Sequence, residues 1–82
     1  MASNKILDNA AASASNTYTP IGSRLGVTCE AGAADITWRG ASVSLVAGDG
    51  KMLHVCPRDT VTATATSAGT TVYIGELPEY RS

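Results

Sequence analysis

The stretch from Asp59 to Glu76 carries the clearest alternation of hydrophobic and polar positions in the chain. Thr60, Thr62, Thr64 and Thr66 alternate with Val61, Ala63 and Ala65, the two-residue period of a strand with one covered face. Ser67-Ala68-Gly69 supplies turn residues, and Thr70 to Ile74 returns with β-branched and aromatic side chains. Together these predict a β-hairpin near the C-terminus. Its covered face is largely alanine, too slim for a thick core of its own. A second layer must come from the same chain or from a neighbour.

Upstream, the same period recurs in shorter runs. Leu25, Val27 and Cys29 alternate with Gly26, Thr28 and Glu30, and Ile36 and Trp38 alternate with Asp35, Thr37 and Arg39. Val43 and Leu45 face one way while Ser42 and Ser44 face the other, and residues 51–56 read as a further strand. Ala31-Gly32-Ala33, Gly40 and Pro57-Arg58-Asp59 punctuate the runs. Asp49-Gly50 is a favoured pair for a tight hairpin turn. Six to seven short strands, spaced about ten residues apart, predict an all-β fold: a small antiparallel β-sandwich or barrel. The loops are too short for parallel crossovers.

Residues 1–20 break this pattern. Ala10-Ala11-Ala12-Ser13-Ala14-Ser15-Asn16 is small, polar and low in complexity, a composition that supports no core. Ile6, Leu7, Ala10, Ala11 and Ala14 fit a helical spacing, but so short a helix is unstable alone. The expectation is an N-terminal arm over residues 1–20, extended or forming one short helix. A β-domain over 21–82 follows it and ends in the tail Leu77-Pro78-Glu79-Tyr80-Arg81-Ser82.

Composition sharpens the stability question. The chain has 82 residues, enough for one domain that buries roughly 60–65% of its surface on folding. Its hydrophobic fraction of 44% leans on alanine, with no Phe, one Trp and three Tyr to deliver large burial. Domains this small close the gap with disulfides, a metal or association. Association, as a homo-oligomer or with another protein, is the route this composition favours.

Charge excludes several partners. The formal net charge is −1, and Lys5, Arg24, Arg39, Lys51, Arg58 and Arg81 stand singly. No basic stripe is available for a phosphate backbone and no polybasic cluster for a membrane surface. No apolar run reaches the length of a transmembrane helix. The pair Ile6-Leu7 before Asp8 is too short for a secretory signal. A soluble product made in a reducing cytoplasm, with neither nucleic acid nor membrane as partner, is expected.

Candidate chemistry is sparse. Cys29 and Cys56 fall in phase with the apolar faces of their runs. They are either bridged or two buried free thiols, the second being favoured in a cytosolic product. His54 lies two residues before Cys56, but the Cys-x₂₋₄-Cys pair of a structural zinc site is missing. No metal and no cofactor are expected. His54, Asp49 and Asp59 coexist with many serines but with no Gly-x-Ser-x-Gly elbow. Gly48-Asp49-Gly50 lacks the spacing and ending of a phosphate loop. Glu76 and Glu79 flank Pro78 and read as a solvated tail. No catalytic residue is assigned, and an enzyme is not expected.

Partner-binding candidates are the apolar residues stranded outside the strand runs. They are Ile6, Leu7, Tyr18, Pro20 and Ile21 near the start, and Leu77, Pro78 and Tyr80 at the end. Tyr73 joins them because it faces away from Val72 and Ile74, while Trp38 reads as a core anchor. The equal alternative is that the stranded residues fold back onto their own sheet.

The layout resembles the small head decoration, or cement, proteins of tailed bacteriophages. The residues that carry the likeness are the low-complexity N-terminal segment and the Thr-Val-Thr-Ala-Thr run at residues 60–64, within an Ala/Ser/Thr/Gly-rich β-domain. The resemblance implies a non-catalytic virion protein on the capsid surface, made in the host cytoplasm and bound to the major capsid protein. It also implies a homo-oligomer, often a trimer, with an arm extended over shell subunits. A tail or head–tail component is a close rival. A small β-barrel module for a glycan or single-stranded nucleic acid is the alternative from another class.

Overall fold

A computed structural model describes residues 3–77. Eight strands follow in order: β1 (Ser3–Ala10), β2 (Ser15–Tyr18), β3 (Arg24–Ala31), β4 (Ala33–Trp38), β5 (Ala41–Val46), β6 (Gly50–His54), β7 (Val61–Ala65) and β8 (Thr70–Glu76). They form two four-stranded sheets, β1-β8-β3-β6 and β2-β7-β4-β5, and every pairing is antiparallel. The fold is all-β as the alternation predicts, and of the two expected architectures, sandwich or barrel, it is the sandwich, with eight strands where six to seven were expected. The nested pairing of β1 with β8, β2 with β7, β3 with β6 and β4 with β5 is the strand order of a jelly roll.

Among the described residues only β4 and β5 make a hairpin between successive strands. Arg39 and Gly40 both take positive φ there, 48° and 79°, as a two-residue primed turn demands. Every other connection passes from one sheet to the other. The segment from Thr60 to Ile74 is therefore not a hairpin: β7 and β8 lie in facing sheets. Asp49-Gly50 likewise joins β5 to β6 across the sandwich. Local patterning sets strand, turn and strand, but which sheet receives the returning strand is a tertiary choice.

The predicted arm is part of the sandwich. β1 and β2 are edge strands, one on each sheet, and Asn16 Nδ2 ties them by donating to the Ile6 carbonyl at 3.1 Å. The register of β1 against β8 slips between Lys5 and Leu7 and again between Leu7 and Ala10. A bulge lets one strand turn two successive residues inward, and Ile6 and Leu7 are both buried. Strict alternation hides such a pair, so the segment reads as a helix or arm from sequence.

The core lies between the sheets. β2-β7-β4-β5 contributes Ala34, Ile36, Leu45, Val61, Ala63 and Ala65. The facing sheet supplies the larger Leu25, Val27, Leu53, Val72 and Ile74, with Cys29. Small side chains on one wall accommodate bulky ones on the other, which is how a slim face reaches native packing density. The second layer demanded by the alanines thus comes from the same chain. Trp38 packs against this core at its margin.

Candidate functional site

The two outer faces differ in chemistry. On the outside of β2-β7-β4-β5, register sets Thr17, Thr62, Thr37 and Ser42 in one row and Ser15, Thr64, Asp35 and Ser44 in the next. Strands are about 4.8 Å apart and same-face residues about 6.8 Å apart, so this is a grid of short hydroxyls. Its carboxylate, Asp35, accepts from Ser44 Oγ at 2.7 Å.

The outside of β1-β8-β3-β6 carries larger groups. Lys5, Tyr73 and Thr28 form one row, with the Lys5 ammonium 5.6 Å from the centroid of the Tyr73 ring. The next row places Gly75 and Gly26 beside Met52. Two adjacent glycines leave bare backbone, and Leu77 uses it: a Cβ on Gly26 would stand 3.3 Å from Leu77 Cδ2. Met52 is 46% exposed beside them. Arg24 and His54 pair in the row beyond. Tyr, Met and Arg are the residue types enriched in protein interfaces, whereas Ser is depleted. By that criterion this face, and not the hydroxyl grid, is the candidate docking surface.

At one end of the sandwich Glu76 closes the gap between the sheets. Its Oε2 accepts from the Tyr18 hydroxyl at 2.7 Å and from Ile21 N–H at 2.7 Å, and its Oε1 accepts from Gly22 N–H at 3.0 Å. Burial pushes this carboxyl up, but the donors from Ile21, Tyr18 and Gly22 outweigh it and hold the carboxyl below its ordinary value. Burial first, then the hydrogen bond to Glu76 and its charge, push Tyr18 up to about 12. The expectation that Glu76 belongs to a solvated tail is corrected: it terminates β8 and is half-buried. Glu79 lies outside the described residues.

The predicted partner-binding residues separate into distinct groups. Ile6, Leu7 and Pro20 are buried within the chain and are removed from the list of docking residues. Tyr18 is half-buried and committed to Glu76. Ile21 is 82% exposed in the loop before β3. Tyr73 and Leu77 are brought together on the outer face of β1-β8-β3-β6, while Pro78 and Tyr80 lie outside the described residues. Met52 was missed; its signal was an apolar residue out of phase with Leu53 and Val55.

Cys29 and Cys56 are both free thiols. Cys29 is buried in β3, where its Sγ donates to the Ala31 carbonyl at 3.3 Å. Burial, with the Asp49 carboxylate adding to it, holds this thiol above its ordinary range. Cys56 lies beyond the end of β6 and is exposed, so its expected place on an apolar strand face is corrected. Arg39 Nη1 donates to Cys56 Sγ at 2.8 Å, and Asp59 Oδ2 accepts from Cys56 N–H at 3.1 Å and lies 3.4 Å from Arg39 Nε. His54 is exposed on the outer side of β6 and Cys29 faces the core, so the two do not meet. Among the described residues no group of three His, Cys, Asp or Glu side chains converges, and no pocket is enclosed.

No family model, no curated protein and no solved structure matches this chain.

Proposed function

We propose that this protein is a non-catalytic structural component of a virion that decorates or cements a phage capsid by binding the major capsid protein. The observation that carries the reading is the asymmetry of the sandwich. One face presents Tyr73, Met52 and Leu77 with Lys5, Arg24 and His54, and the other presents short hydroxyls. A decoration protein has one side on the shell and the other in water, and the two faces divide in that way. The jelly-roll strand order recurs in viral capsid domains, which supports the reading as a fold-level analogy.

Residues 3–18 belong to the body of the sandwich. Attachment in this reading therefore runs through the face of β1-β8-β3-β6 and not through an extended arm. Many copies on one shell would add avidity to a modest single contact.

The test is co-sedimentation of the protein with assembled shells of a phage major capsid protein. Met52→Glu and Tyr73→Glu are expected to weaken binding at least tenfold, while Thr62→Lys on the opposite face leaves it unchanged. Absence of the chain from purified virions, or binding insensitive to Met52 and Tyr73, overturns the reading. Salt-sensitive binding to oligonucleotides, or saturable quenching of Trp38 by a sugar, would replace it with a binding-module function.

A further inference from the structure

The sandwich has four edge strands, and three are blunted. β1 is bulged twice, carries Lys5 and Asp8, and holds Asn9 at φ 48°. β2 has four residues, and its Thr17 N–H donates to Asn16 Oδ1 at 2.9 Å. β6 has five residues and carries Lys51 and His54. Bulges, shortness and charge are the usual protections of an exposed edge. β5 has none of them: Ala-Ser-Val-Ser-Leu-Val is uncharged, lacks proline and keeps an unbroken register with β4.

The free hydrogen-bonding groups of β5 can be identified. Ala47 N–H donates to the Gly32 carbonyl at 3.0 Å, and that pair continues the register of Ala33 with Val46. In an antiparallel ladder bonded and non-bonded pairs alternate. Residues 41, 43 and 45 therefore bond to β4, and residues 42, 44 and 46 turn their N–H and C=O outward. Val46 is already capped: its N–H donates to Asp49 Oδ2 at 3.1 Å and its carbonyl accepts from Asp49 N–H at 2.9 Å. Ser42 and Ser44 remain, both exposed.

We infer that β5 is a self-association edge whose occupant is β5 of a second copy of this chain, antiparallel about a two-fold axis through Val43. That register sets Ser42 opposite Ser44 of the second copy, so the outward groups of both residues satisfy one another. Any register centred on Ser44 would instead compete with Asp49 for Val46. No charged side chain of β5 meets its own copy, which makes the edge self-complementary. Val43, half-buried in the single chain, meets its counterpart on the core side, where cross-strand β-branched pairs are favourable. The two sheets β2-β7-β4-β5 then become one continuous sheet. This inference goes beyond the virion reading and stands whatever the outer faces bind.

Sedimentation equilibrium up to about 100 μM, the range of a weak small interface, should show the mass approaching twice that of the chain. Ser42→Lys with Ser44→Lys should lower the association constant more than tenfold, with circular dichroism showing the fold retained. In a Cys56→Ser background, Val43→Cys should form a disulfide dimer on oxidation, because non-bonded pairs bring Cα atoms to about 4.5 Å. Ser42→Cys, opposite residue 44 and not its own copy, should cross-link poorly. A wild-type monomer throughout, a dimer indifferent to the lysines, or equal cross-linking at 42 and 43 overturns the inference.

Discussion

The Tyr18 hydroxyl donates to Glu76 Oε2 over 2.7 Å and so joins β2 of one sheet to β8 of the other. The same carboxylate takes Ile21 and Gly22 N–H, fixing the loop that carries the chain from β2 to β3. A single side chain thus holds two sheets and a connection together.

Tyr18→Phe is expected to cost about 1 kcal/mol, the net worth of a partly exposed hydrogen bond. The cost should depend on pH. A phenol raised from 10.0 to about 12 in the folded state contributes stability that is complete below pH 10 and lost as pH rises toward 12. The gap in melting temperature between wild type and Tyr18→Phe should close across that interval. A gap that persists would show that the phenol is not coupled to Glu76.

Acid should act on the other partner. Glu76 is held below its ordinary value of 4.5, so its contribution is present above that value and is lost as pH falls through the depressed folded value. Urea unfolding should show Glu76→Gln destabilised by about 1–3 kcal/mol at neutral pH, since the amide is uncharged and its NH2 faces donors where a carboxylate oxygen accepted. The wild type should converge on the variant in strong acid. Equal stability at neutral pH would remove Glu76 as the latch.

Gly32 is expected to tolerate no side chain. It is the single residue between β3 in one sheet and β4 in the other, and its φ is +73°. A Cβ there would stand 2.8 Å from Thr70 Cα. Thr70 is fully buried, and its hydroxyl accepts from Ala33 N–H at 3.2 Å and reaches the Ser67 and Ala33 carbonyls. Gly32→Ala combines backbone strain with a backbone collision, so a loss above about 2 kcal/mol is expected. A melting temperature near wild type would contradict the close approach.

The two cysteines should react differently. In the folded protein a thiol reagent should modify Cys56 promptly and Cys29 slowly, one thiol per chain. Both should react in denaturant, because burial shields Cys29 and raises its pKa. Rapid modification of both thiols in native buffer would contradict the buried position of β3.

Much of the strand content was legible because period-two alternation records which side chains face inward. Leu25, Val27, Ile36, Leu45, Val61, Ala63, Val72 and Ile74 were readable as a covered face, and all are buried. β1 and β2 were not legible. The Ile6-Leu7 bulge breaks the period, and Ser15-Asn16-Thr17-Tyr18 resembles a low-complexity linker. The outer-face cluster was half legible. Tyr73 stood out by phase, whereas the seat of Leu77 over Gly26, whose register partner in β6 is Met52, depends on strands far apart in sequence.

Sequence by itself determined an all-β chain with thin inward side chains, punctuated by turn residues, because side-chain phase and turn chemistry are local properties. Tertiary structure alone decided that nearly every turn crosses the sandwich, that residues 3–18 supply an edge to each sheet, and that the alanine wall is covered from within. Those outcomes depend on where each strand finds the greatest burial and a partner for its backbone. That is a competition among distant segments, and no short window of sequence records its result.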